Sequence, residues 1–81
     1  MSKLEKLLQK ARNNPNGLSF KEFRTLMSQC GWKEDRQSGS HQIWFSPRHF
    51  RLCVQNRNGE AKAYQVKQFL QQYDEEQRYE H

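Results

Sequence analysis

The chain has 81 residues and a formal net charge of +5. This length allows one domain around one small core, and an aromatic content of 12% argues against general disorder. No stretch approaches the roughly 20 consecutive apolar residues of a membrane helix. Charged residues interrupt the apolar residues near the start of the chain, so a signal peptide is not predicted and we expect a cytoplasmic protein.

Two helices are predicted before the first strand. Apolar residues recur at helical spacing over residues 3–12, and the stretch NNPNG ends that helix with a proline and a glycine. A second helix over residues 20–30 starts at a capping box, in which the side chains of Ser19 and Glu22 each accept a hydrogen bond from a backbone amide. Gly31 suits the left-handed position that follows a helix.

Three short strands follow, over residues 32–37, 41–45 and 50–55, and the turn sequences between them favour an antiparallel meander. Successive side chains of a strand point to opposite faces of its sheet. We therefore predict that the second and third strands turn alternate residues toward the core: His41, Ile43, Phe45, Leu52 and Val54. This alternation leaves Trp44 and Arg51 on the face that no helix covers.

The helical period returns from about residue 62. The predicted final helix carries five apolar or aromatic residues on one side: Ala63, Val66, Phe69, Leu70 and Tyr73. The acidic tail, residues 74–81, is expected to fray. We interpret residues 1–81 as a single domain, in which an extra N-terminal helix precedes a core over residues 18–73. The predicted class is α+β, an α-β-β-β-α core with a three-stranded antiparallel sheet, as in the double-stranded-RNA-binding domain.

The positive charge is concentrated in the middle of the chain. Residues 36–67 hold six cations and one acid, a net charge of +5, so the remainder is neutral overall. A basic segment without a membrane-binding pattern indicates a polyanionic ligand, and nucleic acid is the first candidate. The alternative is a solvated basic surface without a ligand, and charge alone does not choose between the two.

Several motifs support a family resemblance. The second helix ends in CGW, the first hairpin reads RQSGSHQIWFSP, and the basic strand FRLCVQ precedes AYQVKQFL. In this order, over about residues 18–73, the motifs resemble the HicA family of toxins, small ribonucleases of bacterial and archaeal toxin–antitoxin pairs. Gly39-Ser40-His41 at the start of the second strand is the most specific element. The resemblance implies an mRNA-cleaving toxin with catalytic His41, no metal or other cofactor, and a HicB-type antitoxin as partner.

The chemistry of RNA cleavage suggests which neighbours of His41 contact the substrate. Internal transfer needs a base for the 2′-hydroxyl proton, an acid for the leaving oxygen and cations for the phosphate. We predict as RNA-binding residues three nearby cations, two turn residues that donate to phosphate and one aromatic residue that stacks on a base: Arg36, Arg48, Arg51, Gly39, Ser40 and Trp44.

The sequence departs from the family pattern at one place and leaves alternatives open. Many relatives carry a Pro-His pair after the third strand, where this chain has Gln55-Asn56. The second catalytic group stays open, with His49, a lysine or the substrate itself as candidates. On the residues alone, His41 also fits a structural strand-end histidine. The basic sheet equally fits a non-catalytic RNA-binding module or a face that only docks another protein.

The two cysteines do not indicate a metal site. Cys30 and Cys53 lack the spacing of zinc ligands, and we interpret both as reduced thiols of a cytoplasmic protein. A disulfide between them is the less favoured alternative.

Overall fold

The computed structural model describes residues 2–79 as two helices, four strands and a final helix. In chain order the elements are α1 (Lys3–Asn13), α2 (Phe20–Gln29), β1 (Lys33–Ser38), β2 (His41–Phe45), β3 (Arg51–Arg57), β4 (Glu60–Ala61) and α3 (Ala63–Tyr79). A 3₁₀ turn at Pro15–Gly17 joins α1 to α2. Within the described residues, no helix is both long enough and apolar enough to span a bilayer.

The strands form one antiparallel sheet in the order β1-β2-β3-β4. This confirms the predicted α+β class and the predicted meander. The strand count is corrected from three to four, because β4 pairs with the end of β3 where we expected only a loop. The sequence carried the signal for this hairpin: Asn58 and Gly59 both have positive φ, 53° and 86°, as a two-residue type I′ connection requires.

The start of α2 is fixed by the capping box. The Glu22 amide donates to Ser19 Oγ at 3.0 Å, and the Ser19 amide donates to Glu22 Oε1 at 3.0 Å. The helix ends where Gly31 adopts a φ of 86°, so the chain can turn directly into β1. These local signals place the first strand, and with it the hairpin that carries His41.

The core lies between the helices and one face of the sheet. Phe23 of α2 meets Phe69 of α3 edge to face, with ring centroids 5.8 Å apart, and Trp32 packs on Phe69 at 5.0 Å. From the sheet, Leu52 and Val54 enter this core as predicted. The opposite face of the sheet has no helix of residues 2–79 packed on it, since its side chains are exposed or half-buried.

The predicted facing of β2 is wrong. Gln42 and Trp44 are buried, at 4% and 3% exposure, whereas His41 is exposed and the alternate apolar residues of the strand are half-buried. The pairing with β3 explains the reversal, because Trp44 lies opposite Leu52, which faces the core. Burial of Gln42 is tolerated because its side chain accepts the Trp44 indole N–H at 2.9 Å and donates to Gln37 at 3.4 Å.

The acidic tail is helical where we expected it to fray. α3 continues through the acidic residues to Tyr79, and residues 80–81 of the predicted tail lie outside the described residues. Arg12 of α1 donates two hydrogen bonds to Asp74, at 2.7 and 3.0 Å, and so ties the first helix to the last. These hydrogen bonds lower the pKa of the Asp74 carboxyl below its ordinary value. Because both side chains are nearly half exposed, the pair contributes at most about 1 kcal/mol.

Candidate functional site

The open face of the sheet is polar at one end and partly apolar in its middle. Register places three residues from each of the three long strands on this face: Lys33, Arg36 and Ser38 from β1, His41, Ile43 and Phe45 from β2, and Arg51, Cys53 and Gln55 from β3. Its cations lie on β1 and β3, the strands that flank β2. Asp35 beside them contacts Arg36 at 3.2 Å, in a pair whose side chains are 76% and 45% exposed, so the positive charge stays accessible to solvent.

His41 stands at the end of β2, directly after the hairpin turn. Gly39 holds a φ of 60° at the first central position of this two-residue turn, a conformation that a residue with a Cβ rarely adopts. The turn pairs Ser38 with His41, and the next strand pairs His41 with Gln55. The imidazole is exposed and takes part in no side-chain hydrogen bond with residues 2–79. It is therefore free to meet a ligand.

A cleft of about 450 Å³ opens beside His41, between the free edge of β3 and the first turns of α3. Six polar residues line it: His41, Arg51, Gln55, Tyr64, Gln65 and Gln68. The cleft therefore contains an imidazole, a guanidinium and a phenol hydroxyl. These groups suit a phosphodiester, because they accept and donate protons and offset negative charge.

A hydrogen-bond chain fixes the wall of this cleft. Gln65 is 4% exposed, and its Oε1 accepts a hydrogen bond from the backbone N–H of Gln55 at 2.9 Å. Its Nε2 donates to the hydroxyl of Tyr64 at 3.2 Å. Gln55 is also the residue opposite His41, so one chain of contacts joins the strand that carries the histidine to the helix that carries the phenol.

The structure brings together some of the predicted RNA-binding residues and separates others. Gly39 and Ser40 form the turn beside His41, and Arg36 lies across from Ile43 on the same face. Arg51 lines the cleft, but it pairs with Phe45 at the end of β2 away from His41. The prediction that Trp44 stacks on a base is wrong, because its ring is buried on the helix side of the sheet.

Arg48 and His49 lie in the connection after β2, at the end of the strand away from His41. The four residue steps of β2 span roughly 13 Å at 3.3 Å per residue. His49 lines a different pocket, beside Phe45 and Pro47. The two histidines line different pockets, so the structure does not support His49 as the second catalytic group.

Tyr64 and Gln65 are among the cleft residues that the sequence analysis did not predict. A signal was present for Tyr64, because it falls outside the apolar stripe of α3 and an aromatic residue off such a stripe is exposed. Gln65 had no such signal, since its role depends on a contact with β3 ten residues earlier in the chain.

Other polar clusters do not indicate a metal site. Among residues 2–79 there is no group of three or more histidine, cysteine, aspartate and glutamate side chains placed to hold a metal ion. Both cysteines are free, and burial raises the pKa of the Cys30 thiol to about 11. Cys53 is exposed on the open face, opposite Ile43.

The sequence that builds this site matches a known family. A family model described as the HicA toxin of bacterial toxin–antitoxin matches residues 20–74, which is more than half of the chain. The matched span begins with α2 and contains the whole sheet, the His41 turn and most of α3. No match was found to a curated protein, and none to a solved structure.

Proposed function

Because the chain belongs to the HicA toxin family of bacterial toxin–antitoxin systems, we propose that it is a metal-independent ribonuclease that cleaves mRNA with His41. We propose further that a HicB-type antitoxin neutralises it. The observation that carries the proposal is the placement of His41, exposed at the mouth of a polar cleft and next to a basic sheet face. RNA would lie across that face.

The proposed reaction is an internal transfer. His41 takes the proton of a ribose 2′-hydroxyl, the 2′-oxygen forms a bond to phosphorus, and the bond from phosphorus to the 5′-oxygen breaks. The departing 5′-oxygen receives a proton from water, and a 2′,3′-cyclic phosphate remains. Imidazole suits the first step because it exchanges protons near neutral pH, and proton transfer of this kind contributes about 10²–10⁴-fold.

The cations of the open face would offset the negative charge of the RNA phosphates. Arg36 lies beside Ile43 on β1 and Arg51 beside Phe45 on β3, so an RNA backbone laid along β2 would pass between the two. Guanidinium groups bind phosphate with two parallel hydrogen bonds. The amides and hydroxyl of the Gly39-Ser40 turn extend this phosphate contact toward His41.

The same face suits an antitoxin. Ile43 and Phe45 are half-buried on β2, the central of the three long strands, and cations of β1 and β3 lie beside them. An acidic partner with an apolar centre would complement this arrangement, and would cover His41 at the same time. Direct masking of the cleft is the proposed means of neutralisation.

A non-catalytic RNA-binding module is the second candidate. It is favoured by one observation, that the cleft among the described residues contains a single histidine, with Gln55 opposite it. Such a module would use the same cations and the same face. Cleavage of the RNA distinguishes the two.

Purified protein is expected to cleave RNA in the presence of EDTA and to leave 2′,3′-cyclic phosphate ends. An otherwise identical 2′-O-methyl RNA is expected to bind but to stay intact, because it lacks the hydroxyl that attacks. Denaturing gel electrophoresis with end-group analysis measures both. Cleavage that stops in EDTA would contradict metal independence, and binding without any cleavage would favour the non-catalytic module.

Replacing Arg36 and Arg51 together by glutamine is expected to weaken RNA binding for unrelated sequences alike. The slope of log K against log salt should become shallower by about 0.7 for each lost phosphate contact on a single strand. Fluorescence anisotropy over a salt series measures this. The matched control replaces Lys3 and Lys21, exposed residues of α1 and α2, by glutamine. Both double variants have the same net charge, so equal losses would contradict the assignment of RNA to the sheet face.

A further inference from the structure

Tyr64 is an exposed aromatic residue placed beside the candidate catalytic histidine. Its side chain is 57% exposed, although it lies in the first turn of a helix whose apolar side packs into the core. It lines the same cleft as His41 and Arg51. Packing into the core therefore does not account for this ring.

The hydroxyl of Tyr64 is held in position before any ligand arrives. It accepts a hydrogen bond from Gln65 Nε2 at 3.2 Å. Gln65 is itself buried, and its Oε1 is held by a hydrogen bond from the backbone N–H of Gln55. A phenol hydroxyl has one proton to donate in addition to what it accepts. No hydrogen bond to a residue between 2 and 79 uses that proton. The cleft thus contains an oriented donor that has no acceptor in the described part of the chain.

Positive charge lies next to this donor. The ammonium of Lys62 is 5.9 Å from the centroid of the Tyr64 ring. Arg51 lines the same cleft. With one cation beside the ring and another along the cleft, an anionic acceptor suits the free hydroxyl proton, and on RNA that acceptor is a phosphate oxygen.

We propose that Tyr64 is a second substrate-contacting residue of this site, whose hydroxyl donates a hydrogen bond to a non-bridging oxygen of the phosphodiester next to His41. The inference rests on the proposed function, since it places RNA in the cleft. A donor held in place by the protein stabilises charge that develops on the phosphate without having to reorganise during the reaction. Stacking of a base on the ring would need neither the hydroxyl nor its support from Gln65.

The test compares Tyr64→Phe with Tyr73→Phe. Both variants lose one phenol hydroxyl from α3, but Tyr73 is half-buried and stacks on Phe69 at 6.1 Å, away from the cleft. For Tyr64→Phe we expect single-turnover RNA cleavage to fall about 10²-fold, the typical effect of removing one donor to a developing oxyanion. The Kd for 2′-O-methyl RNA should rise about three- to tenfold, as for one lost hydrogen bond. Tyr73→Phe should show neither change.

The outcomes separate this inference from the proposed function. A parental protein that cleaves, with Tyr64→Phe at the same rate, overturns the role of the hydroxyl and leaves the ribonuclease intact. A parental protein that does not cleave overturns the ribonuclease. In that case the affinity for 2′-O-methyl RNA decides about Tyr64: weaker binding by Tyr64→Phe alone supports the phosphate contact, and equal binding by both variants refutes it.

Discussion

His41→Ala is expected to lower the rate of RNA cleavage by about 10²–10⁴-fold, because it removes the one imidazole among residues 2–79 that lines the cleft and can transfer a proton. Growth arrest on expression should disappear with it. The fold should be retained, since the side chain is exposed and makes no side-chain hydrogen bond to residues 2–79. Single-turnover cleavage in EDTA, together with a growth assay, measures the effect.

His49→Ala is the matched control for this variant, because it removes an exposed imidazole at the other end of the same sheet. It should cleave at the parental rate, and both variants should keep the circular dichroism spectrum and antitoxin binding of the parent. A folded His41→Ala protein that cleaves as fast as the parent would refute the catalytic assignment. An unfolded one would show that the histidine is structural.

Trp44→Ala is expected to lower the free energy of unfolding by about 3–5 kcal/mol, as is typical when a large buried aromatic side chain is removed. Trp44 is 3% exposed, lies opposite Leu52 in the sheet and donates its indole N–H to Gln42. In so small a domain this loss is comparable to the whole stability, so the variant is expected to be largely unfolded. Chemical denaturation followed by circular dichroism measures it.

If the alanine variant does not fold, Trp44→Phe still tests whether this ring faces the helices or contacts RNA. It retains most of the buried apolar area and loses the hydrogen bond to Gln42, so we expect a smaller destabilisation of about 1–3 kcal/mol. RNA affinity should be unchanged, because the ring faces the helices. A stable Trp44→Phe protein with much weaker RNA binding would contradict this placement and restore the interpretation of Trp44 as a stacking residue.

The helices were predictable because their signals are local. The capping box of Ser19 and Glu22 lies within four residues, and the predicted bounds of α2 differ from the observed ones by one residue. Which side chains of β2 face the core could not be predicted from local signals. Both of its faces contain large apolar residues, and only the pairing of Trp44 with Leu52 decides which set is buried. The clear alternation of β3 would have settled this, had the register between the strands been known.

The candidate site was predictable to a similar extent. The turn motif predicted His41 at the start of β2, and the predicted meander placed Arg51 on the neighbouring strand. The pairing of Arg51 with Phe45, at the other end of β2 from His41, was not predicted. Tyr64 and Gln65 enter the cleft from α3, through a hydrogen bond to the free edge of β3. A contact between a strand edge and a helix leaves no periodic pattern in the sequence. The same limit applies to His49, which is close to His41 in the sequence but lies beyond the other end of β2.

The outer strand β1 affects how copies of this protein meet one another. An edge strand exposes unpaired backbone groups that can join the sheet of a second molecule. Here every residue of Lys33–Ser38 is exposed and polar, four successive residues are charged, and the pairing with β2 is interrupted by a bulge between Glu34 and Arg36. Charge and irregularity both oppose edge-to-edge association. The sheet can thus keep one face open for a ligand without offering the β1 edge as a template for aggregation.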